Sequence, residues 1–107
     1  MNQKYEEVLT VLEECVKACN HCFDACLREE DLQMMADCIR LDRECADVCT
    51  YAIQAITRQS PFTDKILKLC AEICDACAEE CGKHEHDHCK KCAEACRKCA
   101  EACRNAA

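Results

Sequence analysis

Apolar and polar positions along this chain repeat with a helical period, and cysteine fills the apolar role. The cysteines fall at Cys15, Cys19, Cys22 and Cys26; at Cys38, Cys45 and Cys49; at Cys70, Cys74, Cys77 and Cys81; and at Cys89, Cys92, Cys96, Cys99 and Cys103. Each group follows i, i+3, i+4, i+7 spacing, with Glu, Lys, Arg and Asp in most of the gaps. That is the pattern of an amphipathic helix whose buried stripe is made of thiols. The breaks between groups are recognisable. REED, residues 28–31, is a polar stretch. Ser60-Pro61 reads as a helix start, with Ser as N-cap and Pro at the first helical position. Gly82 follows Cys81 at a helix-ending position. The pattern predicts helices over residues 4–28, 31–58, 61–82 and 87–105. Short connections make successive helices antiparallel neighbours. The expected fold is therefore all-α, an antiparallel up-down-up-down four-helix bundle with a cysteine-lined core, forming a single domain over residues 1–107.

Residues at equal height in an antiparallel hairpin share one index sum, and the cysteines pass that test. Cys26/Cys38, Cys19/Cys45 and Cys15/Cys49 share one sum. Cys81/Cys89, Cys74/Cys96 and Leu67/Cys103 share another, with Cys77/Cys92 and Cys70/Cys99 one below it. The thiols thus stack in layers: Cys26, Cys38, Cys81 and Cys89; then Cys22, Cys77 and Cys92, with Leu41 or Asp42 at the helix 2 position; then Cys19, Cys45, Cys74 and Cys96; then Cys15, Cys49, Cys70 and Cys99. Cys103 opens a fifth layer otherwise made of Leu12, Ala52 or Ile53, and Leu67.

Composition sharpens this picture. Sixteen of the 107 residues are Cys, against one Gly and one Pro, so the elements are long and regular rather than loops tied by disulfides. The net charge of −7 disfavours nucleic acid, which needs clustered Lys and Arg. The N-terminal MNQKYEEVLT lacks the basic and apolar regions of a secretory signal. No apolar run approaches the roughly 20 residues that span a bilayer. A cytoplasmic location without membrane contact is the expectation, and reduced cytoplasmic thiols point to metal before disulfides.

Inward thiols in this number admit three chemistries. A core of cysteine used as a small hydrophobe buries less apolar area than leucine at every site. Disulfide cycling, as in a thiol–disulfide redox protein, needs exposed low-pKa thiols, whereas these lie on buried faces. Its CxxC pairs also lack a surrounding βαβ pattern. Soft metal ions remain: Cu(I), zinc or iron–sulfur clusters. Four zinc ions on these thiolates would leave about −8 inside a dry bundle, since each ZnS₄ unit carries about −2. Cu(I) at about one per thiolate leaves the interior neutral. The loop motif of iron–sulfur proteins is absent. Cu(I), with many ions per chain, is the expected cargo, and a general soft-metal buffer that takes zinc is the alternative beside the redox one.

The motifs ACNHC at 18–22, CIRLDREC at 38–45, the SPF turn of QSPF at 59–62, CGKHEHDHC at 81–89 and the closing CxxCAEAC pattern resemble the cytosolic bacterial branch of the copper storage proteins, which are cysteine-rich four-helix bundles. The resemblance covers essentially the whole chain. It implies a homotetramer of bundles storing Cu(I) on inward cysteines, with no catalysis and with a copper chaperone as a candidate partner. One departure stands out. Where the family carries further cysteines near the starts of helices 1 and 3, this chain has Val8, Leu12 and Leu67. Together with Ile53 and Ile56 they predict an apolar plug at one end of the tube and a capacity on the order of 16 to 20 ions.

At the opposite end, His84, His86 and His88 alternate with Glu85 and Asp87 ahead of Cys89. They read either as a metal entrance or as a polar solvated loop. Met34 and Met35 open helix 2 at this end; they read as plain packing or as a soft thioether ligand, and for ligation the helical phase favours Met34 over Met35. His21 falls about 130° from the cysteine stripe and is expected to point outward. Asp42 is either paired with Arg40 or Arg43 or turned toward the metal. Leu9, Val16, Phe23 and Leu27 form a second stripe, for helix packing or a subunit interface.

Overall fold

The computed structural model describes residues 3–107, with side chains from Tyr5 onward. Four helices follow in order: α1 (Gln3–Leu27), α2 (Leu32–Thr57), α3 (Thr63–Cys81) and α4 (Asp87–Ala106). α1 packs on α2 and α4, and α3 packs on the same two, so the helices stand at the corners of a square. The bundle is 44 × 18 × 17 Å. Its axis is one tube of inward side chains, as the periodicity predicts. Among the described residues, no helix is long and apolar enough to cross a membrane.

The helix ends correct the sequence reading in two places. Ser60 and Pro61 do not start α3; they form the turn before it. Ser60 Oγ accepts from the Phe62 amide at 3.1 Å, and the Ser60 carbonyl accepts the Thr63 hydroxyl at 2.6 Å. α3 begins at Thr63. The turn is needed because α2 ends tightly. The Ser60 amide reaches back to the Ala55 carbonyl at 2.9 Å, and Gln59 adopts φ 55°. This left-handed C-terminal cap normally takes glycine. The one glycine sits elsewhere: Gly82 ends α3 with φ −65°, ordinary helical backbone. There its missing Cβ leaves room for the Arg97 guanidinium, which a Cβ would meet at 2.9 Å. α2 starts as chemistry dictates, with Asp31 as N-cap accepting from the Met34 amide at 3.1 Å.

Each helix buries its cysteine stripe. The apolar plug is also present: Val8, Leu12, Ile56 and Leu67 are buried at the α2–α3 turn end, with Ile53 packed against them. Full burial of such side chains contributes roughly 1.5–3 kcal/mol each, which a cysteine cannot match. The plug therefore anchors one end while thiols fill the rest. In the second stripe of α1, Leu9 and Val16 pack against the core, and Leu27 stays half exposed.

Candidate metal centre

All sixteen cysteines are free thiols with no solvent exposure. Their spacing along four helices brings them into overlapping groups whose ligand atoms lie within 4.8 Å of one another. From the α1–α2 loop end inward these are Cys22/Cys26/Cys38/Cys89, then Cys22/Asp42/Cys81/Cys92, then Cys19/Cys77/Cys92/Cys96, then Cys15/Cys19/Cys45/Cys96, then Cys15/Cys49/Cys74/Cys99. Each group shares a member with the next, so the site is a ladder rather than a set of separate centres. Contacts at the first layer include Cys38–Cys81 at 3.1 Å and Cys26–Cys89 at 3.9 Å. Further in, Cys19–Cys96 stand at 3.6 Å, Cys45–Cys74 at 3.5 Å and Cys49–Cys70 at 3.7 Å. Cys103 closes the ladder 4.0 Å from Cys99, against the plug.

The layers differ from the index-sum expectation in one respect. Cys22 joins the first layer through Cys38 and Cys89, both at 3.9 Å, and Cys15 joins the third through Cys45 and Cys96, both at 3.8 Å. α1 therefore stands part of a layer nearer the loop end than its partners. An index sum resolves hairpin register only to whole residues, and the offset interleaves the layers.

Asp42 fills the helix 2 position of the second layer, a role the sequence leaves open. It is fully buried. Its Oδ1 accepts from Cys77 at 3.4 Å and from Cys81 and Cys92 at 3.3 Å, and Oδ2 accepts from Cys38 at 3.8 Å. Arg40 and Arg43 turn outward to Asp37 and Asp47 instead. Burial first, and then the neighbouring Cys92, push the Asp42 carboxyl up to about 8. Burial likewise pushes up Cys26 and Cys89, the latter to about 12. Burial favours the uncharged form of these groups, and neutral thiols are what an empty bundle can bury at least cost.

The histidine loop divides into different roles. His88 turns inward, with Nδ1 3.5 Å from Cys89, 3.6 Å from Cys22 and 3.9 Å from Cys26. Its Nε2 is 2.8 Å from Glu29, whose carboxyl that bond holds below its usual range. His86 stacks on His88 at 5.3 Å and also reaches Glu29, at 3.4 Å. His84 turns away to Glu80 of α3, at 3.1 Å. His21 is exposed, as expected. The helical phase picks the wrong methionine. Met35 is the buried one, whereas Met34 is 61% exposed. Residue 35, three before Cys38, continues the buried stripe of α2. Met34 instead lines an open hollow of about 400 Å³ with Met35, Glu29, Glu30, Asp31 and His86. Glu29 is the residue sequence reasoning misses, because nothing in REED marks which carboxylate crosses to the opposite loop.

A square of helices around a buried ladder of free thiols, with histidine side chains beside it at the α1–α2 loop end, defines a metal-binding four-helix bundle built for many soft ions. The chain belongs to the copper storage protein family, whose sequence profile matches residues 1–107. The uncharacterized cysteine-rich protein YhjQ of Bacillus subtilis is 53% identical over 76 residues, which is 71% of this chain and 70% of that protein. Among solved structures, the Cu(I)-bound copper storage protein BsCsp3 of Bacillus subtilis superposes with a TM-score of 0.93 at 53% identity, covering 96% of this chain and 97% of that one. A cytosolic copper storage protein from Streptomyces lividans, solved with five coppers, gives 0.94 at 38% identity, covering 97% and 92%.

Proposed function

We propose that this chain stores Cu(I) in the cytoplasm on the thiolates of its sixteen cysteines, at about one ion per Cys, and that it performs no catalysis. The observation that carries this is the continuous ladder of buried free thiols. Each arriving ion displaces thiol protons, so charge stays near zero as the tube fills. Entrance is at the α1–α2 and α3–α4 loops: the hollow beside Met34 and His86 gathers cations over Glu29, Glu30 and Asp31, and His88 hands them to Cys22, Cys26 and Cys89. His84, paired with Glu80, stands at the rim. The plug makes the opposite end blind. Assembly into a homotetramer follows the resemblance already described.

Zinc is the second reading, because thiol spacings of 3.5–3.9 Å also suit a tetrahedral S₄ site with bonds of about 2.3 Å. The tube's charge argues against it. The buried polar side chains among the described residues are Asp42 and Thr63, so no cation offsets roughly −2 per zinc centre. Anaerobic titration with Cu(I) against a competing chelator tests the proposal. The expected end point is on the order of 16 to 20 equivalents. Saturation below about four overturns it, and a zinc-filled protein that resists copper exchange favours the alternative.

A further inference from the structure

Glu29 lies outside the thiol ladder, yet it touches both His86 and His88. Its position is well fixed. The Glu29 amide bonds the Cys26 carbonyl at 3.2 Å, and Asp31 caps α2 two residues later. One oxygen, Oε2, is 2.8 Å from His88 Nε2 and 3.4 Å from His86 Nδ1, so a single carboxylate from the α1–α2 loop spans the mouth to two stacked rings, His86 just before α4 and His88 in its first turn. An ionised carboxylate only accepts hydrogen bonds, so the His88 nitrogen facing it carries the proton. In a neutral imidazole the other nitrogen then offers its lone pair. That nitrogen is Nδ1, the one beside Cys22, Cys26 and Cys89.

We propose that Glu29 is the positioning residue of the mouth: it locks His88 in the Nε2–H tautomer with the Nδ1 lone pair aimed at Cys22, Cys26 and Cys89, and so sets the rate at which the first ions pass into the tube. This is the arrangement in which a carboxylate behind a histidine fixes its tautomer and raises its basicity as a ligand. It rests on the storage reading given above for the meaning of the rate, but not for the tautomer.

The test uses the full chain with Glu29→Ala and Glu29→Asp. The His88 tautomer is read in the metal-free protein by ¹⁵N-detected imidazole couplings at about pH 8, where imidazole is neutral. Uptake of the first Cu(I) equivalents from a chelating donor is followed by stopped flow. Glu29→Ala is expected to populate Nδ1–H at His88 and to slow early uptake by about 10- to 100-fold. The number of ions held at saturation is set by the sixteen thiols, none of which is altered. Glu29→Asp, which keeps the acceptor, is expected to recover part of the rate. An unchanged tautomer in Glu29→Ala overturns the proposal, as does a shifted tautomer with unchanged uptake. A wild type that saturates below about four equivalents overturns the storage reading instead, a separate outcome because the tautomer is measured without copper.

Discussion

Replacing Asp42 by Asn removes the one ionisable oxygen acid from the tube while keeping its shape. In the wild type this carboxyl is fully buried and is pushed up to about 8 by burial and by Cys92. In the unfolded chain it titrates near 3.9. Between about pH 4 and pH 8 the unfolded chain is ionised there while the folded chain keeps its proton, so unfolding releases a proton. Stability therefore falls as pH rises through this window, by about 1.4 kcal/mol per pH unit, and levels off above the folded value. At about pH 7 the accumulated loss is about 4 kcal/mol, large against the usual 5–15 kcal/mol of a small domain. Asn cannot ionise. Its Oδ1 takes the thiols of Cys77, Cys81 and Cys92, and its amide faces Cys38. The stability advantage of Asp42→Asn over wild type should therefore grow by about 3 kcal/mol between about pH 5 and pH 7. The assay is anaerobic urea unfolding of the reduced, metal-free proteins, followed by far-UV circular dichroism. An ordinary thiol titrates near 8.5, above this pH range, so the difference reports Asp42. A difference that stays flat across that range, or shrinks with rising pH, refutes the burial argument.

Three other outcomes follow from the geometry. Leu12→Cys together with Leu67→Cys should extend the ladder past Cys103 and raise Cu(I) capacity by about two, read by titration against a chelator; stability falls at the same time, because the plug loses apolar burial. Gln59→Gly should stabilise the metal-free protein by about 0.5–1 kcal/mol by relieving the left-handed cap of α2, measured by denaturant unfolding. Filling the tube should release about one proton per Cu(I), read with a pH indicator in weak buffer, while far-UV helicity hardly changes; a large gain in helix on loading would show that the empty bundle is not folded.

The thiol stripe was legible in the sequence because helical period is a local property, visible in the spacing of one residue type. The same period placed four helices within a few residues of their observed ends and layered the cysteines across hairpins. It also marked Val8, Leu12 and Leu67 as an apolar plug at one end. Turn chemistry was less legible. Ser60-Pro61 fits a helix start on paper, but the Gln59 cap of α2 takes those residues into the turn, and the glycine expected at a left-handed position sits in helical backbone.

Contacts that join residues far apart in the chain and off the main period arise from the packing of the helices against one another. Asp42 lies just off the cysteine stripe, and its choice between arginine and thiol depended on where α3 and α4 place Cys77, Cys81 and Cys92. Met35 rather than Met34 is buried, although both lie within about one turn of Cys38. Glu29 and His88 meet because two loops from opposite hairpins end at the same height. Periodicity reports which face of a helix is buried; it carries no information about which side chain on another element stands opposite. That is set by rigid-body packing of the whole bundle, and it turns four rows of thiols into one ladder.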